Sequence, residues 1–221
     1  AHNNTESLRD EYGYMHHESD DFEKHANLDE VYAEAVAQIE LLKKLGLDPS
    51  HLDNHMGSIY GVATGRFELL SVAFKAAAEY GLPFRFPANL ADEQFSNSML
   101  DIQVDKNVVL GLLSNVVEQA KALHVAIPDY LIPNEWSGPQ SDSYENFKEY
   151  IFELYKTFPD GAVTETYMHP SLPTEDLKGA SGVWFRREWE YKLLKDPQTK
   201  QHIESLGFKL INYRDLAEMK K

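Results

Sequence analysis

Apolar residues in this chain recur at two spacings, one typical of helices and the other of short strands. After Asn27, apolar residues lie three or four positions apart, which predicts a helix with one buried face. These positions are Val31, Ala35, Ile39 and Leu42. Asn27 is a good N-cap residue, and Glu30 three positions later predicts a capping box. Gly46 predicts the end of the helix, because glycine readily adopts the left-handed backbone found there.

The same alternation of a helical stretch and a short apolar stretch continues along the chain. The further predicted helices cover residues 66–80, 106–123, 144–157, 188–194 and 198–206. The predicted strands cover residues 47–53, 82–86, 127–132, 162–168 and 208–213. Strands that alternate with helices predict an α/β fold, with mostly parallel strands joined by helical crossovers. An open doubly wound sheet and a (β/α) barrel both satisfy this pattern.

Polar stretches outside this pattern predict loops. Residues 1–27 are polar, with a short hairpin predicted near residues 12–14. Residues 133–143 and 172–183 each follow a predicted strand and predict two long surface loops. Enzymes of the α/β class build their sites from loops that follow strands, so these two loops are candidate site elements.

The composition limits the classes of partner. The chain has 221 residues and a formal net charge of −15, which fits one domain, or at most two small ones. A chain with this negative charge repels nucleic-acid phosphates and anionic membrane surfaces. We therefore expect neither of them as a partner. No apolar run approaches the roughly 20 residues that span a bilayer. The absence of cysteine excludes disulfides and thiolate chemistry, and it favours a cytoplasmic location.

Two histidines and an aspartate alternate where the first predicted strand ends. His51, Asp53 and His55 point to the same side if the strand continues that far. Two imidazoles and a carboxylate can bind a divalent transition metal, or the carboxylate can orient a ligand histidine. The alternative is a polar strand end whose side chains bond to turn backbone, and spacing alone favours that alternative.

Glu165, Tyr167 and His169 show the same spacing near the end of another predicted strand, and Pro170 then ends the ladder. A histidine in this position can act as a general acid or base, because an unperturbed imidazole has a pKa of about 6.5. A structural histidine at a strand end is the alternative. Arg85 lies on a short strand flanked by prolines, where it can pair with a carboxylate or hold an oxyanion. A surface salt bridge is the commoner use of such an arginine.

Other chemistry-bearing patterns are absent or weak. The sequence has no Gly-rich phosphate loop and no nucleophile elbow, so hydride transfer, ATP chemistry and a serine triad lack support. A polar cluster near the N-terminus is predicted to be a solvated loop rather than a metal site. Its members are His16, His17, Asp20 and Asp21. The aromatic stretch 184–191 predicts helix packing, with sugar stacking on Trp184 as the alternative.

Four segments, in order, resemble the YdjC family, the group that includes chitooligosaccharide deacetylase. They are His51-Leu52-Asp53-Asn54-His55, Gly81-Leu82-Pro83-Phe84-Arg85, Glu165-Thr166-Tyr167-Met168-His169-Pro170 and the stretch 207–216, which reads Gly-Phe-Lys-Leu-Ile-Asn-Tyr-Arg-Asp-Leu. The resemblance covers nearly the whole chain from about Ser7 onward.

The resemblance implies a distorted, TIM-barrel-like (β/α) barrel that removes an acetyl group from an N-acetylated sugar. It also implies a divalent metal ion, magnesium or zinc, held in the family by one Asp and two His. His55 matches one of these ligands, and Asp53 beside it is the other candidate metal-site residue, as a ligand or by orienting one. His169 matches the family's His-Pro and would protonate the leaving amine. Arg85 and Glu165 match polar positions that line the barrel and are candidate catalytic residues.

The chain departs from the family pattern in two places. Met56 and Gly57 stand where the family usually has further histidines. The family's opening strands carry an Asp-Asp pair and a His before a Leu-Thr-like segment, and the chain begins after their expected place. We therefore expect residues 1–221 to be one YdjC-like domain that lacks these N-terminal strands, or a degenerate homologue. The acidic surface and the aromatic loop are compatible with a homodimer.

Three functions remain open on the sequence. The first is metal-dependent deacetylation of a sugar or oligosaccharide. The second is a catalytically inactive sugar-binding barrel, which the absent ligands would explain. The third is another metal-dependent sugar hydrolase or isomerase on a similar barrel.

Overall fold

The computed structural model describes residues 4–91, 94–95 and 105–220. The chain divides into two compact units, each with its own hydrophobic core. The first unit comprises Ala1–Ala88, Gly111–Ile127 and Asn212–Lys221. The second comprises Asn89–Leu110 and Pro128–Ile211. The prediction of one domain over the whole chain stays a prediction.

The described residues are mostly helical. Their helices are α1 (Ser19–His25), α2 (Leu28–Lys44), α3 (Glu68–Tyr80), α4 (Lys106–Ala122), α5 (Tyr144–Lys156), α6 (Glu175–Ala180), α7 (Trp184–Lys195), α8 (Pro197–Ser205) and α9 (Tyr213–Met219). Short 3-10 turns lie at Glu6–Leu8, His55–Gly57 and Pro139–Ser141. A small parallel sheet pairs β1 (Tyr130–Leu131) with β2 (Thr164–Glu165). None of the helices in the described ranges is long and apolar enough to span a membrane.

The predicted N-cap of α2 is confirmed, but the predicted capping box is wrong. Asn27 Oδ1 accepts hydrogen bonds from the backbone N–H groups of Asp29 and Glu30 at 2.9 and 3.2 Å. Glu30 Oε2 instead accepts from the backbone N–H and the hydroxyl of Ser7, each at 2.8 Å. The Ser7 hydroxyl in turn accepts from the Asn27 N–H at 2.9 Å. The Asn27 N–H therefore donates to the hydroxyl of Ser7, 20 positions earlier, and not to the Glu30 carboxylate that the capping box predicted.

Replacing Asn27 by Ala should lower the free energy of unfolding by about 0.5–2 kcal/mol, because two N–H groups of α2 lose their acceptor. The change can be measured as a shift in the urea midpoint at a constant slope. Asn27→Ser keeps a capping oxygen and is the control, with a stability near that of the wild type. An unchanged midpoint in Asn27→Ala would contradict the assigned cap.

The first unit buries one face of α2 against α3. Its core contains Leu8, Phe22, Ala26, Val31 and Leu69. The predicted helix at 66–80 is confirmed as α3, and Gly81 ends it in the left-handed conformation, with φ 63°. The segment before α2 was predicted to be loop and is partly helical, because α1 and the turn Glu6–Leu8 supply Phe22 and Leu8 to this core.

The first two predicted strands are reduced to one parallel bridge between Leu52 and Phe84. Two backbone hydrogen bonds form it, from Leu52 N–H to Pro83 O and from Arg85 N–H to Leu52 O, each at 2.9 Å. Phe84 N–H donates instead to Ala126 O, also at 2.9 Å. Proline has no N–H to add to a ladder. Pro83 and Pro87 flank this segment, which explains why the pairing stays so short. The parallel direction agrees with the predicted α/β pattern.

The second unit packs α5 and α7 around an aromatic core. The buried residues of this core are Trp136, Phe147, Ile151, Tyr155 and Leu193. Burial raises the pKa of the Tyr155 hydroxyl to about 12. β1 and β2 confirm the third and fourth predicted strands as a parallel pair, with Tyr130 opposite Thr164. The hydrogen bond from Ile132 N–H to Glu165 O, at 2.8 Å, extends the pairing.

Two predictions near the C-terminus are wrong. The described residues include no strand at 208–213, because Asn212 caps α9 in a reciprocal box with Asp215 and Tyr213 begins the helix. The predicted loop at 172–183 contains α6, which Thr174 caps by accepting from Leu177 N–H. The short hairpin predicted near residues 12–14 is confirmed by an antiparallel bridge between Arg9 and Met15.

Candidate functional site

Asp53 and Arg85 meet where the Leu52–Phe84 bridge ends in the first unit. Arg85 Nη1 donates to both carboxylate oxygens of Asp53 at 3.2 Å. The Arg85 side chain is 16% exposed and the Asp53 side chain 43%, so the arginine end of this ion pair is largely buried and the carboxylate end is open to solvent. Tyr60 donates its hydroxyl hydrogen to Arg85 O at 2.7 Å, which fixes the same segment. Of the two uses predicted for Arg85, pairing with a carboxylate is the one present here.

The other two residues of the first motif separate after the bridge. His51 stacks on the ring of Tyr213, with 3.9 Å between ring centroids. His55 is exposed and begins the 3-10 turn, in which Met56 has a left-handed backbone with φ 55°. Since the bridge is confined to Leu52, no strand continues to His55 to align the alternate side chains.

Asn54 organises this turn, and the sequence reasoning did not single it out. Its side chain is buried, and its Oδ1 accepts from the Ser58 hydroxyl at 3.0 Å and from Ile59 N–H at 3.2 Å. Its backbone oxygen accepts from Gly57 N–H at 3.2 Å. A signal was available, because asparagine often bonds to backbone groups a few positions ahead in turns.

The described residues supply one candidate metal ligand rather than a complete set. Among residues 4–91, 94–95 and 105–220, no three His, Cys, Asp or Glu side chains gather in a way that could hold a metal ion. Within those ranges no side chain forms a hydrogen bond or ion pair with the exposed His55 imidazole. An open imidazole fits one ligand position. Asp53 is already engaged by Arg85, which suits a residue that orients its surroundings.

The second unit contains the other two predicted residues. Glu165 lies half-buried in β2, and His169 follows four positions later at an exposed position. The His169 ring meets the Tyr167 ring edge to face at 5.8 Å. An exposed imidazole just after a strand can exchange a proton with a ligand.

One face of α7 holds the backbone around His169. The His169 N–H donates to Glu190 Oε2 at 2.7 Å, and the Ser171 N–H donates to Arg187 O at 3.1 Å. Arg187 Nη1 donates to His169 O at 3.4 Å. Pro170, between the two donors, has no N–H of its own. Both sides of the proline are therefore tied to α7.

Glu190 is a buried carboxyl that sequence reasoning missed. It is 3% exposed, and burial raises its pKa. Nearby groups act against that rise in the pKa of Glu190: the hydrogen bond from His169 N–H, the Asn134 amide, and the charges of Arg187 and Arg186. Its contact with His169 joins residues 21 positions apart, so no local pattern could indicate it.

The remaining chemistry-bearing stretches serve packing. Trp189 packs against the core of the second unit and meets the Phe185 ring edge to face at 5.1 Å, as predicted for this helix. The two aspartates of the cluster near the N-terminus lie on α1 rather than in the predicted loop, and Lys24 pairs there with Asp20 at 2.6 Å. His16 stacks on His25 at 4.9 Å. Sugar stacking on Trp184 stays a prediction.

A family model for YdjC-like proteins matches residues 1–205. The chain belongs to the YdjC-like family. This finding confirms the resemblance that the four segments indicated. Curated relatives of this YdjC-like chain carry the name carbohydrate deacetylase, so its relatives are named as enzymes.

Two curated relatives illustrate the likeness. The chain is 30% identical over 213 residues to a carbohydrate deacetylase of Enterococcus faecalis V583, covering 96% of this chain and 69% of the relative. It is 25% identical over 201 residues to a carbohydrate deacetylase of Vibrio campbellii, covering 91% of this chain and 62% of the relative. The YdjC-like chain thus spans about two thirds of these relatives' length.

The fold is similar to a solved structure from Enterococcus faecalis V583, of a protein described as a candidate for cellobiose-phosphate cleavage. The TM-score is 0.68 at 29% sequence identity, covering 96% of this chain and 69% of the other. The YdjC-like chain therefore has an α/β fold like that of a solved protein, mostly helical with a small parallel sheet.

Proposed function

We propose that this chain carries a carbohydrate deacetylase activity that removes the acetyl group from an N-acetylated sugar or oligosaccharide. The observation that carries the proposal is the family match over residues 1–205, together with relatives named carbohydrate deacetylase. The exposed His169, held just after a strand, supplies the matching chemistry in the second unit.

Amide hydrolysis breaks the C–N bond, adds water to the acetyl carbon and returns a proton to the sugar nitrogen. An amine leaves far more readily when it is protonated as the bond breaks, so the reaction needs a general acid. In the proposal His169 donates that proton from its imidazolium form. Arg85 and Glu165 stay candidate catalytic residues of the proposed reaction.

We also propose that His55 is one ligand of a divalent metal ion, magnesium or zinc, with Asp53 beside it. Such an ion would lower the pKa of bound water and polarise the acetyl carbonyl. The open imidazole of His55 supports the assignment. A complete set of ligands would need donors beyond those that the described residues bring together.

The proposed activity is tested by incubating the metal-supplemented protein with N-acetylglucosamine oligomers and measuring acetate release. Acetate and free amine formed in equal amounts are the expected result. Binding of the oligomers without release of acetate would refute the proposed enzyme activity and favour a non-catalytic sugar-binding protein. The sugar-binding alternative is favoured by one observation: the described ranges contain no group of three His, Cys, Asp or Glu side chains that could hold a metal ion. Cleavage of a glycosidic bond would instead indicate another sugar hydrolase.

In protein that carries the complete set of ligands, His55→Ala should abolish binding of the divalent metal, because the imidazole is the one open donor that the proposal assigns. Elemental analysis after dialysis compares the variant with the wild type. His17→Ala removes a histidine that is also exposed and serves as the matched control, with metal content unchanged. A His55→Ala protein that keeps the wild-type metal content would refute the assignment.

We propose that the parallel segments form part of a (β/α) barrel, which is supported by the parallel bridge in the first unit and the parallel β1–β2 pair in the second. We further propose a cytoplasmic protein that forms a homodimer and binds no nucleic acid. The net charge of −15 supports the last of these.

A further inference from the structure

Glu190 is a buried carboxylate with no part in the proposed reaction. A buried charge costs free energy unless it is well paired, and an apolar residue of similar size is often at least as stable. Glu190 lies on α7, three positions before the fully buried Leu193, where an apolar side chain would fit the core. A carboxylate at this position can accept a hydrogen bond that an apolar side chain could not. The bond that it accepts is the one from His169 N–H.

We propose that Glu190 is a positioning residue for His169, because it holds the His169 N–H and so fixes where the imidazole projects. This inference rests on the proposed function, since it takes His169 as the general acid. Burial alone would raise the pKa of Glu190, and the contacts with His169 N–H and Asn134 oppose that effect, which supports an interaction with the carboxylate.

The Asn134 side chain holds the backbone at Tyr167, two residues before His169. In the amide orientation that satisfies both neighbours, its nitrogen donates to Tyr167 O at 3.2 Å and its oxygen accepts from Trp136 Nε1 at 2.9 Å. The backbone is therefore held at Tyr167 O and at both the N–H and the carbonyl of His169.

A segment held in this way suits a general acid. Proton transfer needs the imidazole within hydrogen-bond reach of the leaving nitrogen. A misplacement of about 1 Å can cost about 100-fold in rate. Loss of the Glu190 contact should therefore lower kcat and leave KM little changed, because the substrate-binding groups stay in place.

The test compares Glu190→Leu, Glu190→Gln and Glu190→Asp with the wild type. Glu190→Leu removes the acceptor, so kcat for acetate release from an N-acetylated sugar should fall by about 10- to 100-fold. Glu190→Gln keeps an oxygen that can accept from His169 N–H and should restore most of the rate. Glu190→Asp keeps the charge but draws the carboxylate back by one methylene from His169 N–H, so an intermediate loss of kcat is expected. This variant keeps the test decisive if Glu190→Leu folds poorly.

Glu188→Gln is the matched control, because Glu188 lies on the same helix and pairs only with Lys192 at 2.9 Å among the contacts that the structure describes. Its rate should equal that of the wild type. A second substrate separates positioning from general damage. An aryl acetate ester has a leaving group that needs no proton, so Glu190→Leu should hydrolyse it at the wild-type rate. Equal losses on amide and ester would overturn the proposal.

A measurement that needs no turnover completes the test. In NMR spectra of the wild type, the His169 amide proton should lie downfield and exchange slowly with solvent. Glu190→Leu should move it upfield and speed its exchange, whereas Glu190→Gln should preserve both properties. An unchanged His169 amide in Glu190→Leu would overturn the inference. If the wild type releases no acetate, the proposed function fails, and the amide response still decides whether Glu190 holds His169.

Discussion

Replacing His169 by Ala should lower kcat for acetate release from an N-acetylated sugar by about 100- to 10,000-fold. The sugar nitrogen would then have to leave without a proton from the protein, and an unprotonated amine is a poor leaving group. His169 is exposed and makes its backbone contacts through atoms that the substitution keeps, so the fold should survive. Steady-state kinetics with a coupled acetate assay measure the effect.

The pattern of the loss distinguishes an acid from a structural histidine. The variant should bind as much metal as the wild type, and its hydrolysis of an aryl acetate ester should be nearly unaffected. His202→Ala provides a contrast, because that imidazole stacks on Phe152 at 4.2 Å and bonds its backbone oxygen at 3.0 Å. It should cost stability rather than the amide-specific step. Wild-type acetate release by His169→Ala would exclude the acid role.

Gly61→Ala should destabilise the first unit more than Gly65→Ala, although both glycines have a left-handed backbone, with φ 73° and 79°. A Cβ at Gly61 would lie 2.8 Å from Phe67 N and even closer to the Arg66 carbonyl, whereas nothing lies within 4 Å of a Cβ at Gly65. Both substitutions carry the cost of left-handed backbone, roughly 1–2 kcal/mol. Overpacking against backbone should add about 1–3 kcal/mol at Gly61 alone.

Urea unfolding of the two variants isolates this contact, since the cost of positive φ cancels in their difference. The crowded backbone leads into α3, and Arg66 is fixed there because its Nη1 donates to the carbonyls of Glu23 and Ala26. The chain therefore cannot easily move away from a new methyl group. Equal midpoints for the two variants would show that the loop relaxes and that the close approach is not required.

The longer helices were predictable because their signals are local. Asn27, the apolar spacing after it and the glycines at helix ends all act within a few residues, and α2 and α3 lie close to their predicted ranges. Strands depend on partners that are distant in sequence. The apolar stretch 208–211 looks like a strand, yet Leu210 is 68% exposed and Asn212 turns the chain into α9.

The candidate site divides in the same way. His169 and His55 were predicted as site residues because they match motifs of the family that the chain resembles, and both assignments stay predictions. Asn54 carried a local turn signal, whereas Glu190 could not be ranked from the sequence. Glu190 matters through its burial and through a hydrogen bond whose donor is a backbone group 21 positions away. Tertiary contacts of this kind carry no periodicity that a single sequence reveals.

The Ser7 contact with the start of α2 sets a practical limit on how far the protein can be shortened for expression. A version that begins after Ser7 would leave the Asn27 N–H and the Glu30 carboxylate without the partners they have here. It would also lose Leu8 from the core if cut one residue further. Designs for crystallisation, fusion partners or affinity tags should therefore keep the chain from Ser7 onward intact.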